Sequence, residues 1–439
     1  MAIEGLAKIP ELRRRLLFVL AMIAVFRFGS HVPTPGINGA ALDSFFQAQN
    51  NGILGIFNLF SGGALQRLSI FALGIMPYIS SSIIFQLLTA VFPYLEALNK
   101  EGEQGRKKIQ QYTRYGTVVL CIIQGLGIAT YLENSTAPSG QPLILGTFVG
   151  GIPFKVMTVI TLTAGSCFIM WLGEQMTEKG IGNGTSLLIA AGIIAGLPGG
   201  FLNSIELMKS GEMSPIIGLG ILALMIAVVA IIIFLEVGQR RIPVQYSQRI
   251  SGRKVMGGQS THLPLKINFA GVIPPIFASS LLMFPATLAQ FIKAPWMNSI
   301  QDAIQPTGVL YNVLYVALIV FFCFFYTAIV FKPDDMAENL KKYGGFIPGI
   351  RAGKSTADYV EGVLSRITVG GAIYLSAVCV LPGLLIAQAK VPFYFGGTSL
   401  LILVGVALDT VQQIQSHLIT HQYEGFMRGA KIRGRRASN

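Results

Sequence analysis

Ten stretches of about twenty mostly apolar residues follow one another along this chain of 439 residues. A chain so built can satisfy its backbone in lipid only as helices. The stretches run approximately over 16–35, 70–94, 115–132, 154–173, 185–202, 215–235, 268–292, 309–331, 368–389 and 398–414. They predict an all-α polytopic membrane protein with ten transmembrane helices. Composition agrees, with 52% hydrophobic residues, a mean hydropathy of +0.61 and 12% charged residues, against about 25% charged in an ordinary soluble chain. Intrinsic disorder, a disulfide scaffold and an ordinary soluble enzyme are excluded. The four cysteines, Cys121, Cys167, Cys323 and Cys379, stand singly inside apolar stretches and read as packing residues.

Alternation of ten spans puts both tails and the loops 2/3, 4/5, 6/7 and 8/9 on one side. That side holds 27 of the 33 Lys and Arg and 14 of the 20 acids, hence the entire net charge of +13. Positive-inside bias predicts cytosolic termini.

Between the first two spans lies the apolar segment 52–69, broken by Ser61-Gly62-Gly63 and carrying Arg67. It is too short and interrupted to cross. A re-entrant element inside the bundle and an interfacial helix both fit its composition.

The spans also repeat. Gly74-Ile75-Met76-Pro77-Tyr78-Ile79, followed by Ser82, resembles Gly271-Val272-Ile273-Pro274-Pro275-Ile276, followed by Ser279. Gly184-Thr185-Ser186-Leu187-Leu188-Ile189 with Gly192 is matched by Gly397-Thr398-Ser399-Leu400-Leu401-Ile402 with Gly405. Span two therefore answers to span seven and span five to span ten. Five is odd, so the second half is inserted upside down, and an inverted repeat places its working elements where the halves meet. The repeated residues there are isoleucines. Ile79 corresponds to Ile276 and Ile189 to Ile402, while Ile83 and Ile193 lie one turn on along the same faces. Branched aliphatic side chains at a bundle axis form either ordinary core packing or a constriction that gates by dewetting.

The motifs of chemistry are missing. Arg351-Ala352-Gly353-Lys354-Ser355 imitates the end of a phosphate loop, but Pro348 stands where its first glycine belongs. His417 and His421 have no third ligand in sequence reach. Arg27 and Lys155 lie near span ends and can snorkel; Asp409 is one turn from the end of span ten. That inventory suits a coupled transporter poorly. Loop 6/7 carries Arg240, Arg241, Arg249, Arg253, Lys254 and Lys266 against Glu236 alone. Retention by positive-inside bias and anionic lipid explains it, as does docking of a large acidic partner such as RNA.

The strings GIMPYISSSII, EGEQGRKKIQQYTRYGT, FIMWLGEQMTEKGIGNGTSLLI, GQRRIPVQYSQR, GGQSTHLPLKINFAGVIPPIFASSLLMFPAT, FFCFFYTAIVFKPDDMAENLKKYGGFIPGIRAG and KVPFYFGGTSLLI resemble the SecY family, channel subunits of the bacterial Sec protein translocase. They occur in family order from the first span to the last. The resemblance implies a clamshell of two inverted five-helix halves, 1–202 and 203–414, with large loops 236–267 and 332–367 and a basic cytosolic tail over 415–439. It implies a pore ring of Ile79, Ile83, Ile189, Ile193, Ile276 and Ile402. It also implies a re-entrant plug helix over about 57–71, including Phe57, Phe60, Gly62, Gly63 and Arg67. A lateral gate of spans two and three against seven and eight would be lined by Gln86, Gln124, Asn268, Ser279 and Ser280. Partner docking would fall to Arg240, Arg241, Arg253, Lys254 and Arg351. The expected partners are SecE and SecG, the SecA motor ATPase, the ribosome with its rRNA, signal-sequence-bearing polypeptides and anionic lipids. No cofactor and no catalysis are implied, and the expected location is the bacterial inner membrane.

Overall fold

The computed structural model describes residues 10–48, 58, 61–138, 140–146, 148–149, 151–211, 214–246, 249–251, 254–256, 260–291, 308–389 and 397–429. Each expected span has a helix: α1 (Pro10–Gly29), α3 (Met76–Val91), α5 (Glu103–Glu133), α6 (Phe154–Lys179), α7 (Gly184–Lys209), α8 (Pro215–Val237), α9 (Ile273–Phe291), α10 (Val309–Val330), α12 (Lys354–Ala389) and α13 (Gly397–Gly429). Short helices α2 (Gly39–Ala48), α4 (Pro93–Lys100) and α11 (Pro333–Lys342) stand between them.

By length and composition, seven helical stretches among the described residues can cross a membrane, or eight when the bent pair α3–α4 counts as one. Helix α1 falls short of that measure because its 20 residues include Glu11, Arg13, Arg14, Arg15 and Arg27. Helix α9 is apolar over Ile273–Leu282.

The local chemistry sets the boundaries. Asn183 caps α7, its Oδ1 accepting from the N–H groups of Thr185 and Ser186 at 3.1 and 3.3 Å. Prolines open α4, α8 and α11, where a missing N–H costs nothing. Pro93 also disfavours helix at Phe92, which takes φ −93° and ψ 118°, so α4 leaves α3 at 97°.

Packing repeats with the sequence. Helix α3 packs on α5, α5 on α6 and α6 on α7; likewise α9 packs on α10, α10 on α12 and α12 on α13. Across the two sets, α3 meets α9 and α7 meets α13. Each of these pairs joins a helix to its own sequence counterpart, as contacts at a pseudo-two-fold axis must.

Three local features depart from the sequence expectation. The apolar run to residue 35 does not stay helical. Helix α1 stops at Gly29, and the chain then turns to bring Pro33 beside Ser69 in an isolated bridge. In the expected plug helix Asn58 is helical, but 61–75 is a succession of turns with a bridge at Ser69 and positive φ at Gly62, Gly63, Leu68 and Gly74. Phe57 and Phe60 lie outside the described residues.

The third lies outside the bundle, whose all-α reading stands. Loops 6/7 and 8/9 share a small antiparallel sheet, in which β3 (Gln239–Tyr246) lies between β6 (Ser260–Lys266) and β7 (Gly345–Phe346). Its register pairs Arg240 with Leu265, Ile242 with Leu263 and Tyr246 with Gly345. Alternation turns Ile242 and Val244 inward. They join Leu265, Ile347, Val360 and Val363 in a core separate from that of the bundle. Two shorter hairpins, β1–β2 (Phe148–Val149, Ile152–Pro153) and β4–β5 (Arg249–Ser251, Lys254–Met256), complete the strands.

Candidate functional site

The bundle's main core is built at the two cross-half contacts. Ile79 and Ile83 come from α3, Ile189 and Ile193 from α7, Ile276 from α9 and Ile402 from α13. All six are buried in one hydrophobic cluster, none more than 7% exposed. The residues that the repeat singles out are thus core residues, on helices that meet in pairs across the halves. Their environment is apolar, with Val272, Leu188, Leu401 and Val406 in the same cluster.

The 61–75 turns enter this core rather than lying on its surface. Ser61, Ala64, Leu65, Leu68, Ser69, Ala72 and Leu73 are buried. That resolves the two readings of this segment in favour of insertion into the bundle. Internal bonds hold its shape: Ser61 Oγ donates to the Asn58 carbonyl at 3.0 Å, and the Leu65 N–H donates to Ser61 Oγ at 3.2 Å. Further bonds attach it to the body. The Leu68 carbonyl accepts from both the N–H and Oγ1 of Thr34, at 2.9 and 2.7 Å, and Gln66 Nε2 donates to Asp43 Oδ1. Gly62 lies against Gly192 of α7. A Cβ at position 62 would stand 2.9 Å from the Gly192 Cα, and the backbone there has φ +66°. Gly192 sits between Ile189 and Ile193 in sequence, so the inserted turn abuts the isoleucine cluster. Gly63 has φ +82°, and Arg67 is exposed.

Arg27 corrects the sequence reading. Instead of snorkelling away, its Nη1 donates to the Gly62 carbonyl at 2.9 Å. Nothing in the sequence signals that bond, because its acceptor is backbone 35 residues downstream.

The expected polar lining divides into two groups. Gln124 on α5 and Ser280 on α9 are buried, and Gln124 Oε1 and Ser280 Oγ have no hydrogen-bond partner among the described residues. These two helices pack on each other. Ser279 Oγ donates to the Ile276 carbonyl at 2.9 Å, and Gln86 Nε2 donates to Ser82 Oγ at 3.2 Å, each within its own helix. Asn268 is different. Its Nδ2 donates to the Gly271 carbonyl at 3.0 Å and to Glu236 Oε1, so its donors are used within its own half, at the turn before α9.

Among the basic residues, Arg240 and Arg241 are exposed on β3, and Arg351 is exposed just before α12. The shared sheet makes loops 6/7 and 8/9 one projecting unit. The side chain of Lys254 and all of Arg253 lie outside the described residues.

Sequence reasoning missed two polar ties. Arg114 of α5 makes a two-pronged ion pair with Glu174 of α6, Nε to Oε1 and Nη2 to Oε2, both at 2.9 Å. Gln413 of α13 accepts from the Gly182 N–H at 2.8 Å, joining the two halves. Both ends of the first pair are visible as charges in the sequence; the second uses a backbone donor and leaves no mark there.

A helical membrane bundle of two similar halves, closed on an uncharged core by an inserted turn, defines a class of polytopic membrane proteins. The chain belongs to the SecY family: the family model described as SecY matches residues 69–411. A protein translocase subunit SecY of Pseudomonas aeruginosa is 52% identical over 432 residues, covering 97% of this chain and 95% of that relative. Among solved structures, one of a SecY protein, described by a plug domain that stabilizes the closed state of the translocation channel and maintains a membrane seal, has a TM-score of 0.64 at 19% identity, covering 94% of this chain and 96% of that one. Another, Sec61 in the canine ribosome-channel complex, has a TM-score of 0.62 at 16% identity, with the same coverage of 94% and 96%. At such identity these structures speak for the fold.

Proposed function

We propose that this chain is the protein-conducting channel of a bacterial Sec translocase, passing unfolded secretory polypeptides across the inner membrane and releasing apolar segments sideways into lipid. The observation that carries this reading is that six isoleucines on α3, α7, α9 and α13, the helices that meet across the halves, are all buried in the bundle's apolar core, with the Gly62 turn seated against Gly192 of α7. An aliphatic ring makes no sequence-specific bonds. It can close around any passing chain, and its dewetted constriction opposes ions. The 57–71 segment is read as the plug that adds a second seal.

Helices α3 and α5, set against α9 and α10, are read as the lateral gate, with 1–202 and 203–414 moving as the two halves. Buried oxygens with no partner among the described residues, such as Gln124 Oε1 and Ser280 Oγ, cost the packed seam about 1–3 kcal/mol each. Opening to water or to a passing chain relieves that cost. Through the gate each segment samples lipid. Leu, Ile, Phe and Val gain about 0.3–0.6 kcal/mol apiece and Asp, Lys or Arg lose about 2.5–3.5, so apolar segments leave and polar ones continue.

The work of transport comes from outside the chain. The exposed Arg240, Arg241 and Arg351 on the projecting unit, together with Arg253 and Lys254, are read as the docking surface for the SecA motor or for the ribosome and its rRNA, with both termini cytosolic. SecE and SecG are the expected membrane partners, and anionic lipids complement the basic face. The test is reconstitution of the chain with its small subunits in vesicles, with motor and ATP. A presecretory polypeptide should become protease-protected. Persistent protease sensitivity, or coupled flux of a small solute instead, would overturn the reading.

A further inference from the structure

Arg27 occupies the last turn of α1, where its own backbone carbonyl accepts from Ser30 Oγ at 2.7 Å and lies 2.8 Å from His31 Nδ1. The helix end is therefore fixed, and the guanidinium reaches inward from a defined base. Its acceptor is the carbonyl of Gly62, the residue whose left-handed φ of +66° lets the turn press on Gly192. A Cβ at Gly62 would meet the Gly192 Cα at 2.9 Å on one side and Arg27 Nη1 at 3.0 Å on the other. Gly62 is thus clasped between a cation on α1 and the α7 backbone that carries Ile189 and Ile193.

Among the described residues, Arg27 is the one side chain from outside the segment that bonds the 61–63 turn; the turn's other bonds run to Asn58, Ala64 and Leu65 within it. The ties through Thr34 and Asp43 hold the chain further on, at Leu68 and Gln66. Among the described residues Arg27 has no carboxylate within ion-pair distance. A charged donor on a neutral carbonyl is stronger than a neutral hydrogen bond. It breaks without leaving a buried anion behind, and the freed cation lies at a span end where its stem can reach water.

We infer that Arg27 is a positioning residue of the resting seal: through the Gly62 carbonyl it holds the inserted turn against Gly192, and so sets how strong a signal must be to open the channel. This rests on the reading of the 57–71 segment as a plug, and the test separates the two. Full-length protein with its small subunits is reconstituted in vesicles, and resting ion flux is compared for wild type, Arg27→Ala, Arg27→Lys, a deletion of 61–66, and the deletion combined with Arg27→Ala. Export of a precursor with a defective signal sequence is measured in parallel.

Arg27→Ala should raise resting flux on the order of tenfold, the effect expected of one charged hydrogen bond, and should admit the defective precursor. Arg27→Lys, which keeps a charged donor, should leak less. In the deletion background Arg27→Ala should add nothing, since effects through a shared partner do not add. Wild-type flux in Arg27→Ala beside a leaky deletion would overturn the latch and leave the plug reading standing. A deletion that does not leak would sink the plug reading itself and the latch with it. Equal leak from Ala and Lys, or an Ala effect undiminished in the deletion background, would also overturn the latch, because Arg27 would then act on the bundle at large.

Discussion

The side-chain oxygen of Gln413, on α13, accepts from the backbone N–H of Gly182, in the turn that leads into α7, at 2.8 Å. These residues lie 231 positions apart and in opposite halves. The bond stands at one end of the α7–α13 contact that carries Ile189 and Ile402. Gln413→Ala leaves the Gly182 N–H without this acceptor, in a turn whose backbone has φ +92° and cannot easily readjust. A loss of about 1–2 kcal/mol is expected. In thermal unfolding of the detergent-purified protein, Gln413→Ala should melt lower, while Gln413→Glu, which keeps the acceptor, should stay near wild type. Identical melting of Ala and wild type would show that the bond contributes nothing to joining the halves.

The isoleucine cluster makes a different kind of prediction. Ile276 and Ile402 are 7% and 0% exposed and are the second-half counterparts of Ile79 and Ile189. Ile276→Asn or Ile402→Asn puts a hydrated amide where the constriction depends on being dry. Either change should raise resting ion flux several-fold, on the order of 1 kcal/mol in the closed–open balance, and should relax the need for an intact signal sequence. Unchanged flux and unchanged signal selectivity in both variants would reduce the ring to ordinary core packing.

Much of this architecture is legible in the sequence because lipid imposes a length rule. A crossing needs about 20 apolar residues, so α5, α6, α8 and α10 announce themselves. The rule counts composition, not geometry. It carries span one past Gly29 into turns, and starts span two at residue 70, six residues before α3 begins. The Ile79–Ile276 and Ile189–Ile402 matches pick out core residues because the similar strings lie on the helices that meet across the halves. Ile242 and Val244 alternate as a strand should, yet the arginines before them draw attention to charge, and the β3–β6–β7 sheet goes unread. Arg27 and Gln413 were out of reach for one reason. Their partners are backbone atoms brought near by the fold, and backbone carries no sequence label.

The Arg114–Glu174 pair binds α5 to its neighbour α6 with two bonds of 2.9 Å. The Arg114 side chain is 43% exposed and that of Glu174 13%, so solvent screening limits the coupling to about 1 kcal/mol or less. Geometry still matters here, since a lysine cannot make the planar fork. A double-mutant cycle of Arg114→Ala and Glu174→Ala, read in thermal unfolding, should give a favourable coupling, and Arg114→Lys should recover only part of it. A coupling of zero would mean that α5 is held to α6 by apolar packing alone.

The projecting unit can be tested without disturbing the bundle. Arg351 is exposed, and among the described residues only its carbonyl is used structurally, accepting from Thr356 Oγ1 at 3.0 Å. A side-chain substitution leaves that bond intact, so folding and membrane insertion of Arg351→Glu should match wild type. Charge reversal on a docking face costs both the lost attraction and a new repulsion, and rim charges act chiefly on association rate and salt dependence. Motor- or ribosome-driven export through Arg351→Glu should therefore fall on the order of tenfold at low salt, with the deficit shrinking as ionic strength rises and screening shortens. Arg240→Glu, on the neighbouring strand of the same unit, should behave alike. Export at the wild-type rate across the salt series in both variants would remove the docking role from this face and leave its charge to topology and lipid.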